Sequence, residues 1–189
     1  SVSISMPVRV GILRWLTVLG AATVAITEVL SLFYWINATA IALAWCVVAP
    51  ALLLTRPLRF QVALPRPNWF AAAAVTALAV MAILIGWTAL SSPPNSADTM
   101  SYHLPRVLHW IQNRTVAFFP TSYLNLIMMQ PAAEYMMLHA YLLSGTDAFS
   151  NLFQFTSYVG CIIGSSCLAG LYGLDSRAQT VAAVFCATL

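Results

Sequence analysis

The amino-acid sequence predicts an all-α fold, a polytopic bundle of transmembrane helices with an extracytoplasmic loop that contains short juxtamembrane helices. Two observations carry this prediction. Hydrophobic residues make up 61% of the chain and charged residues only 7%, whereas soluble domains average about half apolar and a quarter charged residues. The chain also contains four apolar stretches long enough to cross a hydrocarbon core of about 30 Å as helices. An ordinary soluble domain is thus excluded.

The apolar stretches divide the chain into three regions. Residues 15–36, 38–54 and 69–90 are predicted to form three N-terminal transmembrane helices within region 1–90. Region 151–189 holds a fourth span at residues 151–174 and a further apolar run that starts at Ala178 and ends at Leu189. Because that run is too short to span, we expect it to be the start of a fifth helix and the chain to be the N-terminal fragment of a larger protein.

The basic residues orient these helices. All of them are Arg, and a cytoplasmic N-terminus leaves only Arg106 and Arg114 on the outer side. The positive-inside rule favours this arrangement. We therefore predict an integral plasma (bacterial inner) membrane protein with an extracytoplasmic loop at residues 91–150 and no nucleic-acid partner. The arginines predicted to be cytoplasmic are Arg9, Arg14, Arg56, Arg59, Arg66 and Arg177.

Two other topologies remain open. Residues 122–143 form another apolar stretch, but Pro131 interrupts it, and a span there would place Glu134 and His139 in lipid. A charged group at mid-helix costs roughly 2.5 to 3.5 kcal/mol, so we favour a helix that begins near Pro131 and lies against the membrane surface or the bundle. The N-terminal run also resembles a signal peptide. Its length and the span that follows it favour a retained helix.

A short polar cluster stands out in the predicted loop. Asp98, Tyr102, His103 and Arg106 lie within nine positions of an otherwise almost uncharged chain. The carboxylate of Asp98 is suited to act as a general base, and a guanidinium such as that of Arg106 holds phosphate oxygens through paired hydrogen bonds. Sugar transfer from a polyprenyl phosphate needs both functions. The open alternative is an Asp that caps a helix and an Arg that reaches lipid headgroups.

A helix is predicted to start at Pro105, because proline favours the first turn and pushes the preceding residue, Leu104, away from helical angles. Helical spacing then places Arg106 and His109 on a polar arc and Leu108 on the opposite apolar arc. We expect an interfacial helix whose polar arc faces an aqueous cavity.

Several motifs of residues 98–189 carry a family resemblance. They are Asp98-xxx-Tyr-His-Leu-Pro-Arg, Trp110-Ile-Gln-Asn, Phe119-Pro-Thr, Pro131-xx-Glu and Leu171-Tyr-Gly-Leu-Asp-Ser-Arg. In this order they resemble the GT-C superfamily of polytopic glycosyltransferases, in particular the protein O-mannosyltransferase and lipid A aminoarabinose transferase type, glycosyltransferase family 39. The chain differs from that pattern in three places. Thr99 follows Asp98 instead of a second acid, Gln130 precedes Pro131 where a Lys is expected, and Asp98 follows the third predicted span instead of the first.

The resemblance implies an inverting transfer, on the extracytoplasmic face, from a polyprenyl-phosphate sugar donor to a lipid, glycan or protein acceptor. Asp98 matches the catalytic carboxylate of such enzymes, and the phosphate contact falls to Arg106. Tyr102, His103 and Glu134 are further candidates for substrate binding. For Tyr102 the alternative is to orient Asp98, and for Glu134 it is to stabilise the start of the Pro131 helix.

The sequence predicts neither a required cofactor nor a metal site. A divalent cation that bridges Asp98 and a phosphate is an open alternative, although one carboxylate makes a weak site for such an ion. Glu28 lies inside the first predicted span, where an acid is either hydrogen-bonded in the structure or functional. A second class of function also stays open, a non-catalytic polytopic protein such as a transporter or an assembly subunit.

Overall fold

The computed structural model describes residues 6–54 and 69–189, and all regular structure in these ranges is helical. The predicted all-α class is confirmed. Arg56, Arg59 and Arg66 lie outside the described residues. The helices are α1 (Met6–Leu32), α2 (Ala38–Leu54), α3 (Trp69–Ser91), a π-helical segment (Thr99–His103), α4 (Leu104–Asn113), α5 (Asn125–Met128), α6 (Ala132–Ser144), α7 (Asn151–Leu171) and α8 (Ser176–Ala187).

Three of the described helices are long and apolar enough to cross a membrane. They cover Val8–Leu32 of α1, all of α3 and all of α7. The remaining predicted span, α2, has the predicted bounds but is a shorter apolar helix of 17 residues with Pro50 inside it. Three predicted spans therefore meet the length and composition of a transmembrane helix within the described ranges, and the fourth falls just short.

Helix α1 begins and ends earlier than residues 15–36. Its end is set by Tyr34, which has a left-handed backbone with φ of 56°. The amide of Tyr34 donates to the Ser31 carbonyl at 3.1 Å, and the amide of Trp35 donates to the Leu30 carbonyl at 2.9 Å. This pair of hydrogen bonds is a Schellman motif, which satisfies the last carbonyls of the helix and turns the chain away.

The described residues divide into two compact units. Of the described residues, the first unit contains 6–17, 69–88 and 154–189. Within it the buried Arg9 guanidinium donates to Ser166 Oγ at 2.6 Å and to Gln179 Oε1 at 2.8 Å. One cation thus connects the N-terminal part of α1 with α7 and α8.

The second unit contains residues 18–54 and 89–153 of the described chain, and it holds the residues of the candidate site. In it α4 packs against α6, and α6 also packs against α2. Its buried core consists of Ile36, Leu104, Val107, Trp110, Tyr135, Met137 and Leu138.

Helix α6 starts directly after Pro131, as predicted. The stretch 122–143 is not one continuous helix, because α5 ends at Met128, and Met129, the residue that follows it, is extended. With 13 residues, α6 is also shorter than a membrane span. The structure therefore favours the predicted helix near Pro131 over the spanning alternative.

The expectation of an extended Leu104 is wrong. Leu104 is helical, with φ of −66° and ψ of −44°, and its amide donates to the carbonyl of Thr99 five residues earlier. A proline ring in a regular α-helix clashes with the carbonyl four residues before it. The π-helical segment ends at His103, two residues before Pro105, and its wider turn lets the helical path continue through Leu104 into the proline.

Candidate functional site

The π-helical segment places Asp98 and Tyr102 together. The Asp98 side chain is exposed and makes no capping hydrogen bond, so it is not the helix cap of the alternative interpretation. The buried Tyr102 follows four residues later, on the same side of the helical segment. Burial raises the pKa of Tyr102, and the negative charge of Asp98 together with a hydrogen bond between the two side chains raises it further. The phenol therefore stays protonated beside the carboxylate.

Arg106 lies in the interior of the second unit, where only 1% of it is exposed. Its Nε donates to the Leu126 carbonyl at 2.6 Å and its Nη2 to the Asn125 carbonyl at 2.6 Å. Its Nη1 donates to the Met129 carbonyl and to Glu134 Oε1, both at 2.9 Å. Arg106 is not presented to open solvent, because its guanidinium holds the α5 segment and Glu134; it contributes to the wall of the cavity described below.

Glu134 is the acidic partner of this cluster and is fully buried. Its Oε1 accepts hydrogen bonds from Arg106 and from Nδ1 of His103, each at 2.9 Å. Its Oε2 is buried without a hydrogen-bond partner among the described residues. Glu134 lies in the first turn of α6, as predicted, and it is also ion-paired, because a buried carboxylate is stable only beside a cation or donor.

The residues of the predicted polar arc of α4 do not share one environment in the structure. Arg106 is on the buried side together with Val107 and Trp110, whereas Leu108, placed on the apolar arc, is 40% exposed. His109 is half-buried, with its ring 3.7 Å from that of Phe119. The buried charge pair thus decides which side of α4 faces the core.

The five predicted site residues therefore form two neighbouring groups. One group consists of the exposed carboxylate of Asp98 and the buried phenol of Tyr102. The other is a mostly buried cluster of Arg106, Glu134 and His103. The side chain of His103 is 28% exposed, and its ring centroid lies 4.3 Å from that of Tyr102. His103 connects the two groups, since it contacts Tyr102 and binds Glu134.

A cavity of about 540 Å³ lies in the second unit, with Arg106 in its wall. The Tyr135 hydroxyl donates to Glu28 Oε1 at its wall, at 2.5 Å. Burial raises the pKa of Tyr135, and the hydrogen bond to Glu28 raises it further. Asp98, Tyr102 and His103 do not line this cavity. Its polar lining residues are Glu28, Ser31, Arg106 and Thr115, and its aromatic ones are Tyr34, Trp110, Phe118, Phe119 and Tyr135.

A buried histidine connects α1, α2 and α6. The Trp45 indole donates to Nδ1 of His139 at 2.9 Å, so Nε2 carries the proton and donates to the Thr27 hydroxyl at 2.9 Å. The hydroxyl in turn donates to the Thr23 carbonyl at 2.8 Å. Burial lowers the pKa of His139 from 6.5 to about 4. Both ring nitrogens are occupied, so His139 has a structural role.

Sequence reasoning missed the contacts of α1 with α6. A signal was present, because Thr23, Thr27 and Ser31 recur every four residues and lie beside Glu28 in an otherwise apolar helix. Such spacing places polar groups on one side of a helix, where they pair with a neighbouring helix. Only the partners, Tyr135 and His139, could not be deduced from the spacing.

The described residues contain no group of three or more His, Cys, Asp or Glu side chains placed to hold a metal ion. Comparison of the chain with protein-family models, with curated proteins and with solved structures gives no match. The described residues thus define a class of protein, an α-helical protein in which three of the described helices are long and apolar enough to cross a membrane.

Proposed function

We propose that the chain belongs to a membrane glycosyltransferase of the GT-C type, which moves a sugar from a polyprenyl-phosphate donor to a lipid, glycan or protein acceptor. One observation carries the proposal. Asp98 presents an exposed carboxylate a few residues after the apolar helix α3. Among the described residues it forms no ion pair, so its charge is available to a substrate.

The chemistry assigned to Asp98 is general base catalysis. As the acceptor hydroxyl oxygen bonds to the anomeric carbon, its proton passes to the Asp98 carboxylate, and the bond from that carbon to the donor phosphate breaks. The polyprenyl phosphate leaves with the bonding electrons and the configuration inverts. Burial and the negative charge of the nearby Asp98 raise the pKa of Tyr102, so in this proposal a protonated hydroxyl is available to orient the carboxylate.

In this proposal Arg106 has a structural role instead of the expected contact with the donor phosphate. Its guanidinium binds three carbonyls and Glu134, so it fixes the helix that carries Asp98 and does not reach the donor phosphate. The phosphate contact then falls to the exposed Arg114 and the partly exposed His103. Both can donate hydrogen bonds to phosphate oxygens.

The proposed location is the plasma (bacterial inner) membrane, with the N-terminus in the cytoplasm and residues 91–150 outside. The support is the arginine distribution together with the three apolar helices. In this orientation Asp98 faces the compartment in which the lipid-linked sugar is transferred.

The test is the substitution Asp98→Asn in the full-length natural protein, reconstituted in vesicles with radiolabelled polyprenyl-phosphate sugars. Loss of a general base is expected to lower the rate of polyprenyl phosphate release at least about a hundredfold. The matched control is Asp147→Asn, which removes another acid of the same region and is expected to leave the rate unchanged. An Asp98→Asn protein that turns over normally would refute the assignment, and a folded wild-type protein inactive with all such donors would favour the non-catalytic alternative.

A further inference from the structure

The cavity of the second unit contains a carboxylate with free acceptor capacity. Glu28 is exposed at this cavity, and only its Oε1 is engaged, by the Tyr135 hydroxyl. An acid inside a helix apolar enough to span a membrane is costly and commonly functional. Among the described residues, Glu28 has no cationic partner.

The other polar groups of the cavity are already occupied. The charge of Arg106 is opposed by Glu134 at 2.9 Å, and each of its nitrogens donates to a protein oxygen. The hydroxyls of Ser31 and Thr115 are hydrogen-bonded to each other at 2.9 Å. Tyr135 stays a neutral donor, because burial and Glu28 raise its pKa. Glu28 is thus the charged group that the cavity offers to a ligand.

Five aromatic side chains complete the wall: Tyr34, Trp110, Phe118, Phe119 and Tyr135. Aromatic rings attract organic cations through their quadrupole and accommodate apolar groups. An anion would be repelled by Glu28. A polyhydroxylated ligand would bury several hydroxyls with few partners, and each unpaired polar group costs free energy. The volume of about 540 Å³ is that of a small-molecule site.

We propose that this cavity binds an organic amine, whose ammonium group pairs with Glu28 and whose apolar part packs against the aromatic side chains. The proposal does not depend on the glycosyl transfer proposed above. Two sources share this chemistry, a soluble amine with an apolar body and the ethanolamine headgroup of a membrane phospholipid. A primary ammonium supplies three donors and one positive charge in both cases.

The test compares two probes of nearly equal shape, phenethylamine and phenethyl alcohol, by titration calorimetry on the chain in phosphatidylglycerol nanodiscs. The amine is expected to bind at least about tenfold more tightly than the alcohol, since a hydrogen bond to a charged group is stronger than a neutral one. Glu28→Gln is expected to remove this difference, because the amide still accepts from Tyr135 but carries no charge. Asp147→Asn is the control and should retain it.

Phe118→Leu provides a second variant that is safe for folding, because Phe118 is 85% exposed. It is expected to weaken amine binding about threefold, the size of one cation–π contact at an exposed site. Equal affinity for alcohol and amine, or undiminished amine binding by Glu28→Gln, would overturn the proposal. Nanodiscs that contain phosphatidylethanolamine separate the sources: weaker apparent binding of the probe supports the lipid headgroup, and unchanged binding supports a soluble amine.

Discussion

The Arg106 guanidinium joins three parts of the second unit: helix α4, the segment around α5, and Glu134 on α6. A buried guanidinium costs much free energy unless its donors are satisfied. Here hydrogen bonds use four of its five N–H groups, and two of these bonds are short, at 2.6 Å. Arg106 and Glu134 therefore depend on each other, and the helix that follows Asp98 is held by their contact.

This dependence predicts the effect of Arg106→Met. The variant leaves Glu134 buried with His103 as its remaining donor, and breaking a buried ion pair in this way costs about 3 to 5 kcal/mol. The free energy of unfolding in detergent should fall by that amount. The double variant Arg106→Met, Glu134→Gln should lose less than the sum of the two single losses, because it removes both charges.

Arg114→Met is the matched control for Arg106→Met. Arg114 is exposed, and its left-handed backbone, with φ of 55°, strains arginine and methionine equally. A change below about 0.5 kcal/mol is expected there. If Arg106→Met lowers the free energy of unfolding as little as Arg114→Met does, the Arg106–Glu134 ion pair does not stabilise the second unit.

At the scale of residues, the sequence indicates which side chains are unusual but not how they pair. Asp98 stands out by its charge and is exposed as a site residue must be. Arg106 also stands out as a charged residue, but it is buried. The difference comes from Glu134, 28 positions along the chain. Helical periodicity assigns polar residues to the outer face and cannot anticipate two opposite charges that enter the core together.

Helix α6 ends in a way that needs one particular residue. Gly145 closes it with φ of 75°, and its amide donates to the Tyr141 carbonyl at 2.8 Å. In residues other than glycine, a left-handed backbone costs conformational free energy even where space is available. Space is available here, because a Cβ at Gly145 would meet no atom within 4 Å.

Gly145→Ala should therefore lower stability by about 1 kcal/mol through backbone strain alone. Gly145→Asn should lose less, because asparagine tolerates left-handed angles. Thermal unfolding followed by circular dichroism measures both. Gly164→Ala is the control, since Gly164 lies inside α7 with equally open surroundings. It should lose no stability, and equal losses at the two glycines would exclude the conformational explanation.

Helices were predictable from length and apolar content, and α3 ends within one residue of its predicted end. The π-helical segment was not predictable. Proline statistics favour a break before Pro105, whereas the structure continues the helix by widening one turn. Packing of Tyr102 and Leu104 in the core compensates for that unusual turn, and such long-range compensation has no local signal.

At the scale of the whole molecule, composition fixes the membrane class while buried polar contacts fix the packing of the helices. Apolar helices in lipid gain little from the hydrophobic effect and rely on packing and hydrogen bonds. His139 provides such contacts in the second unit, where it binds Trp45 on α2 and Thr27 on α1. The composition of the sequence predicts the class, but the pairing of α1, α2 and α6 depends on these individual contacts.

His139 makes the stability of the protein depend on pH. Its pKa is about 4 in the folded protein, because burial disfavours the charged ring, against an ordinary value of 6.5. Above pH 6.5 the His139 ring is neutral in both the folded and the unfolded protein, so its full contribution to the free energy of unfolding is present. Between pH 6.5 and about 4 the unfolded chain binds a proton that the folded protein does not, so the free energy of unfolding should fall, by about 3 kcal/mol in total.

Chemical unfolding in detergent at a series of pH values measures this loss. In His139→Gln the titrating group is gone, so the variant is expected to be less stable at neutral pH but to lose this part of the pH dependence. His109→Gln removes a half-buried histidine of α4 instead and should keep the dependence. A His139→Gln protein whose stability falls with acid as steeply as that of the wild type would show that other groups cause the loss.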